Sequence, residues 1–102
     1  MIGEGETVIH NKTSTGFEFD FDPQRANDMR VLRHIRNLID PDASPLQRTS
    51  ALVDLPLLLI GEEQTEALYA HLGALNDGRV PPAELERELT EIMQGGGDAG
   101  KN

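Results

Sequence analysis

Hydrophobic and polar residues alternate strictly in one short stretch near the start of the chain. In the segment FEFDF, all three phenylalanines of the protein share one side, at Phe17, Phe19 and Phe21, and acidic residues occupy the other. A period of two is typical of a strand with one buried face. The β-branched residues of TVI and the turn residues HNKTSTG predict a partner strand, so we expect a β-hairpin over 7–21.

Beyond the hairpin, apolar residues recur three and four positions apart, which predicts helices. Asp22-Pro23, Ser44-Pro45 and Pro81-Pro82 are typical helix starts. We predict four short helices, over 23–39, 45–60, 62–75 and 82–94. Pro56 removes a backbone N–H group, which predicts a kink near Leu55. The chain is then one small domain, 7–94, of the α+β, mainly α class, with flexible ends at 1–6 and 95–102.

The second predicted helix, 45–60, is apolar on nearly every side between Leu55 and Ile60. A domain of 102 residues has difficulty burying all sides of one helix. Two interpretations therefore stay open: a fully buried helix, or a helix with one face left for a partner. The candidate partner-binding side chains in this helix are its leucines, Leu52, Leu55, Leu57, Leu58 and Leu59.

The first predicted helix combines an apolar stripe with a cationic one. The apolar stripe comprises Met29, Leu32, Ile35, Leu38 and Ile39, spaced three and four apart. The cationic stripe comprises Arg30, Arg33 and Arg36, and we expect His34 to lie at the surface beside it. The arginines form either a solvated face or a docking stripe for an acidic partner, including another part of the same protein.

The charge of the chain limits its partners. The formal net charge is -9, while the segment 24–39 holds four arginines against one aspartate, a net +3. An acidic body disfavours binding to nucleic acid or to anionic membranes. The most apolar stretch, LPLLLIG, is too short to span a bilayer, and the N-terminus lacks the pattern of a signal peptide. These features predict a soluble cytoplasmic protein.

Candidate chemistry is sparse. The chain has no cysteine, which excludes disulfides and cysteine-based zinc sites. The stretch NDGRVPPAE resembles half of a calcium loop, because aligning Gly78 with the loop glycine places Glu84 at the last position. Gly73 and Leu75 then fall where carboxylate ligands belong, so a helix stop and a turn explain the stretch better. Without a nucleophile, phosphate-loop or metal-ligand motif, we expect no enzyme activity, cofactor or metal.

Taken together, the segments FEFDFDPQRANDMRVLRHI, LLLIGEEQTEALYAHL and NDGRVPPAELERELTEIM resemble the small tail assembly chaperones of long-tailed bacteriophages and prophages. The resemblance covers Thr13–Met93 and is most specific over LLIGEEQTEALYAHLGALNDGRVP. It implies a non-enzymatic helical protein that binds the tape measure protein and keeps that client soluble until tail tube protein replaces the chaperone. It also implies action in the cytoplasm of the bacterial host and absence from the mature virion. Many such proteins occur in two lengths through ribosomal frameshifting, with which the tail GGGDAGKN is compatible.

Two other classes of function remain open at this point. A structural head–tail connector or tail terminator would form a closed ring by self-association. A small regulator would use the arginine stripe on DNA, although the net charge disfavours it.

Overall fold

The chain folds as a β-hairpin followed by helices, and the computed structural model describes residues 8–96. This architecture confirms the predicted α+β, mainly α class. The elements in chain order are strands β1 (Ile9–Lys12) and β2 (Glu18–Phe21), a 3-10 helix (Pro23–Ala26), and helices α1 (Met29–Ile39), α2 (Pro45–Leu75) and α3 (Pro82–Met93).

The hairpin has the predicted inner and outer faces. The strands are antiparallel, with Ile9 opposite Phe21 and Lys12 opposite Glu18. Phe17, Phe19 and Phe21 are buried, as the alternation predicted. Opposite charges face each other across the strands on the outer side, an arrangement that stabilises an antiparallel pair.

The helix predicted over 23–39 is interrupted. Asp22 accepts a hydrogen bond from the backbone N–H of Gln24 and starts only a 3-10 turn. Asp28 then accepts from the N–H of Arg30 and begins α1 as a new N-cap. The prediction of one continuous helix was wrong, because an aspartate side chain that captures a local N–H favours a fresh start.

Helix α2 covers both of the predicted helices 45–60 and 62–75. Ser44 and Gln47 form a reciprocal capping box at its start. The helix breaks at Gly61, whose φ of 83° and ψ of 169° are non-helical. Pro56 lies inside the helical run, and the backbone near Leu55 stays helical, so the break expected there is not found. The break at Gly61 falls between the two predicted helices, as their bounds required, because glycine alone adopts this backbone conformation without strain.

The hydrophobic core lies between the hairpin, α1, both halves of α2, and α3. Its buried members are Phe17, Phe19, Phe21, Val31, Leu55, Leu59, Ile60, Leu68, Leu72, Leu85, Leu89 and Ile92. Arg48 holds α1 against α2, since its guanidinium donates to the carbonyls of Leu38 at 3.3 Å and Asp40 at 2.8 Å. These bonds satisfy carbonyls at the end of α1 that have no partner within the helix.

The end of α3 packs back onto the hairpin. The side chain of Asn11 donates to the carbonyl of Gly95 at 2.9 Å, and both Gly95 and Gly96 are buried. These two glycines belong to the folded domain and not to a tail. The predicted flexible segments 1–6 and 97–102 lie outside the described residues.

Candidate partner-binding surface

The first half of α2 (45–60) presents two different faces. Leu55 and Leu59 are fully buried in the core. They cannot line an open groove, and including them in the predicted partner site was wrong. Leu57 is exposed, and Leu52 and Leu58 are half-buried, so these three of the five predicted leucines remain accessible.

An exposed apolar ridge runs along the solvent side of this half of α2. Leu46, Val53 and Leu57 are exposed at 78%, 51% and 40%. Their spacing of seven and four residues places them on one face of a helix. The sequence prediction missed Leu46 and Val53 because apolar residues surround this helix, although their spacing was visible.

A groove of about 330 Å³ lies between α1 and this half of α2, and we call it the basic groove. Its lining residues are Arg30, Arg33, His34, Asp54, Leu57 and Leu58. It therefore brings together four of the predicted partner-binding residues from two separate helices. Arg36, also predicted, is exposed but does not line this groove.

The two arginines of the basic groove differ in their pairing. Arg30 is held by Asp28, to which it donates from Nε at 3.1 Å and from a terminal nitrogen at 2.7 Å. These hydrogen bonds lower the pKa of Asp28 to about 2 and raise the pKa of Arg30. The side chain of Arg33 forms no hydrogen bond or ion pair with any residue between 8 and 96.

His34 is buried at the base of the basic groove. Only 9% of the residue is exposed, so its predicted surface position was wrong. Its Nε2 lies 3.4 Å from a carboxylate oxygen of Asp54, and its Nδ1 has no hydrogen-bond partner among the described residues. His34 faces inward because it shares the core side of α1 with Val31.

The exposed side of α1 is apolar in part. Met29, Leu32 and Ile39 are exposed at 75%, 47% and 74%, whereas Ile35 and Leu38 pack against the core. The five apolar positions of α1 therefore divide, with two packed against the core and Met29, Leu32 and Ile39 at the surface. These last three form a second exposed apolar patch, separate from the ridge on α2.

A second groove, of about 350 Å³, lies on the other side of the ridge, and we call it the apolar groove. Its lining residues are Thr49, Leu52, Val53, Tyr69, Val80, Pro82 and Leu85. Burial, together with the nearby charge of Glu66, raises the pKa of Tyr69. The ridge thus separates two grooves, with Val53 in one and Leu57, a helical turn later, in the other.

A buried polar cluster fixes the tip of the hairpin to the helices. The Thr15 hydroxyl donates to a carboxylate oxygen of Glu88 at 2.7 Å and lies 3.0 Å from Nε2 of His71. Since that hydroxyl has one proton to donate, His71 must donate from Nε2 to Thr15. Ser14 adds bonds to Glu91 from its N–H and hydroxyl, both at 2.7 Å. His71 is thus engaged inside the fold.

A polar groove of about 480 Å³ covers the outer face of the hairpin. His10 pairs there with Asp20 across the strands. Gln64 accepts from the backbone N–H of Asp20 at 2.7 Å and donates to its carbonyl at 2.9 Å. These bonds tie the hairpin to α2 and account for the polar side chains of this groove.

Two further properties of the described chain concern metal ions and membrane spans. Within residues 8–96, no group of three or more His, Asp or Glu side chains is arranged to hold a metal ion. No helix in the same range is long and apolar enough to cross a membrane. No protein-family model, curated protein or solved structure matches this chain.

Proposed function

We propose that this protein is a non-enzymatic tail assembly chaperone of a long-tailed phage. It binds the tape measure protein in the host cytoplasm, keeps it soluble, yields to tail tube protein, and leaves no copy in the virion. The observation that carries the proposal is the apolar ridge of Leu46, Val53 and Leu57 with a groove on each side. The resemblance of 13–93 to such chaperones supplies the identity of the client.

The surface has the form that a helical client requires. Amphipathic helices bind by laying their apolar face against a hydrophobic groove, with anchors three, four and seven residues apart. A helix seated on the ridge would cover Val53 and Leu57 and extend into the apolar groove beside Leu52. A tape measure protein, long and helical with apolar stripes, presents many such segments.

The acidic surface of the protein also supports the proposed chaperone function. Helix α3 and the second half of α2 (62–75) carry exposed glutamates, among them Glu62, Glu63 and Glu86, and the whole chain has a net charge of -9. Many copies along one client would repel each other and keep the complex dispersed. A chaperone needs this property because its client aggregates.

Co-expression with the long open reading frame downstream tests the proposal. A tag on this chain should recover the long protein in soluble form, and the long protein made alone should be insoluble. Recovery of this chain alone, with the long protein insoluble in both cases, would refute the chaperone function.

A structural ring component is the second candidate, and the apolar patch on α1 favours it. Met29, Leu32 and Ile39 are exposed on α1, outside the ridge on which the client is placed. Closed rings form when such patches bind neighbouring copies. Light scattering of the purified chain decides between the two: a single closed assembly of defined mass, without client, supports a connector or terminator.

A further inference from the structure

The basic groove contains one arginine whose charge has no counterpart among the described residues. Arg30 is committed to Asp28 through two hydrogen bonds. Asp54 lines the same groove, but its carboxylate lies beside His34 and forms no ion pair with Arg33. With no partner among residues 8–96, the side chain of Arg33 is available to a group supplied from outside.

The walls of the basic groove restrict what that outside group can be. Leu57 and Leu58 form its apolar side, and Arg33 lines the same groove. A planar guanidinium binds a carboxylate through two parallel hydrogen bonds, and it sheds water more readily than a lysine ammonium. A carboxylate side chain with an apolar neighbour therefore matches both the arginine side and the leucine side of the basic groove.

We propose that the client segment is an amphipathic helix with an aspartate or glutamate beside its apolar stripe. The carboxylate pairs with Arg33 while the apolar residues cover Val53 and Leu57. This inference rests on the proposed function and adds the chemistry and the register of the bound helix.

The distribution of charge favours this occupant over a basic helix. A lysine or arginine in the basic groove would meet the unpaired charge of Arg33, since Asp28 already neutralises Arg30. The exposed Glu62, Glu63 and Glu86 would repel an acidic client elsewhere on the surface. A carboxylate of the client is therefore attracted to the basic groove and repelled by the surrounding surface, which favours one position of the bound helix.

Charge reversal at Arg33 tests the inference, with Arg36 as the matched control. Arg36 lies one turn further along α1, is exposed, and lies outside the basic groove. The complex of each tagged variant with the tape measure protein is purified, and release of the client is followed during a chase with untagged wild-type chain. We expect Arg33→Glu to speed release by about tenfold or more, and Arg33→Lys to have a smaller effect.

The outcomes separate the inference from the proposed function. Rapid release from Arg33→Glu, with Arg36→Glu close to wild type and both variants folded, supports the inference. Equal release from the two reversals would overturn it, since only general attraction would then operate. Wild-type release rates for Arg33→Glu would also overturn it and leave the chaperone function standing. Failure of the wild-type chain to hold the client would overturn both.

One further result would point to a different partner. If Arg33→Glu retains the client but abolishes a salt-sensitive shift of duplex DNA, the groove binds phosphate and the inference is wrong.

Discussion

Replacing the three residues of the apolar ridge by alanine should weaken client binding without unfolding the protein. Leu46, Val53 and Leu57 are exposed at 78%, 51% and 40%, so the fold depends little on them. Alanine has the highest helix propensity, and the substitutions therefore favour α2.

The size of the effect follows from the surface that a client would cover. Full burial of one such side chain contributes about 1.5–3 kcal/mol, and the three exposed fractions amount to roughly one and a half to two side chains. Because alanine keeps its Cβ, the loss is about 1.5–3 kcal/mol in total. That energy corresponds to an affinity about ten- to hundredfold lower.

The assay is release of the tape measure protein from a purified complex during a chase with untagged wild-type chain, because most affinity differences lie in dissociation. Leu55→Ala is the control, since Leu55 lies on the same helix but is fully buried. It should lower the free energy of unfolding by about 2–5 kcal/mol. A folded ridge variant that releases the client as slowly as wild type would refute the placement of the client on this surface.

Three further predictions concern the fold and the apolar groove. Thr15→Val removes a hydrogen bond to the buried carboxylate of Glu88 and should lower the free energy of unfolding by about 1–3 kcal/mol in a thermal or denaturant melt; an unchanged melt would contradict the role of this cluster. Gly61→Ala should destabilise by about 1–3 kcal/mol because of the backbone strain at φ 83°, whereas Gly73→Ala, at a helical position with ordinary contacts, should be neutral or stabilising in the same melt. Tyr69, the sole tyrosine, should form its phenolate above pH 10.0, because its pKa is raised in the fold. The folded state then holds the phenolic proton more tightly than the unfolded chain, so this contribution to stability is present below pH 10.0 and declines as the pH rises further. An absorbance titration whose midpoint lies at or below pH 10.0 would contradict the burial of Tyr69.

Local signals in the sequence predicted the starts and stops of the elements well. The alternation around Phe19 gave the hairpin and its buried face, and Ser44-Pro45 marked the start of α2. These features depend on neighbouring residues alone, through the pleat of a strand and through side-chain caps. Asp28 is a local signal that the prediction overlooked, since an aspartate before an apolar run is itself a typical N-cap.

The orientation of the helices was harder to predict, because apolar residues occur on more than one face. On α1, the set containing Val31 and His34 has helical spacing, as does the set containing Met29 and Leu32. Packing against α2 selects the first set and buries a histidine, which the apolar pattern alone disfavoured. On α2, the same ambiguity made Leu55 and Leu57 look equivalent.

The candidate site could be predicted only in part for the same reason. Arg33 and Leu57 were both expected to bind partners, but on separate surfaces. Contact between α1 and the first half of α2 places them in one groove, and no local pattern contains that information. Tyr69 and Val80 join the apolar groove because the break at Gly61 and the turn before α3 fold the chain back.

The most direct test of the central claim is the soluble fraction of the tape measure protein in cells that express it alone, with this chain, or with the alanine variant of the ridge. We predict insoluble tape measure protein alone, soluble protein with the wild-type chain, and mostly insoluble protein with the variant. Equal solubility under all three conditions would contradict the chaperone function, and equal rescue by wild type and variant would contradict the surface assigned to it.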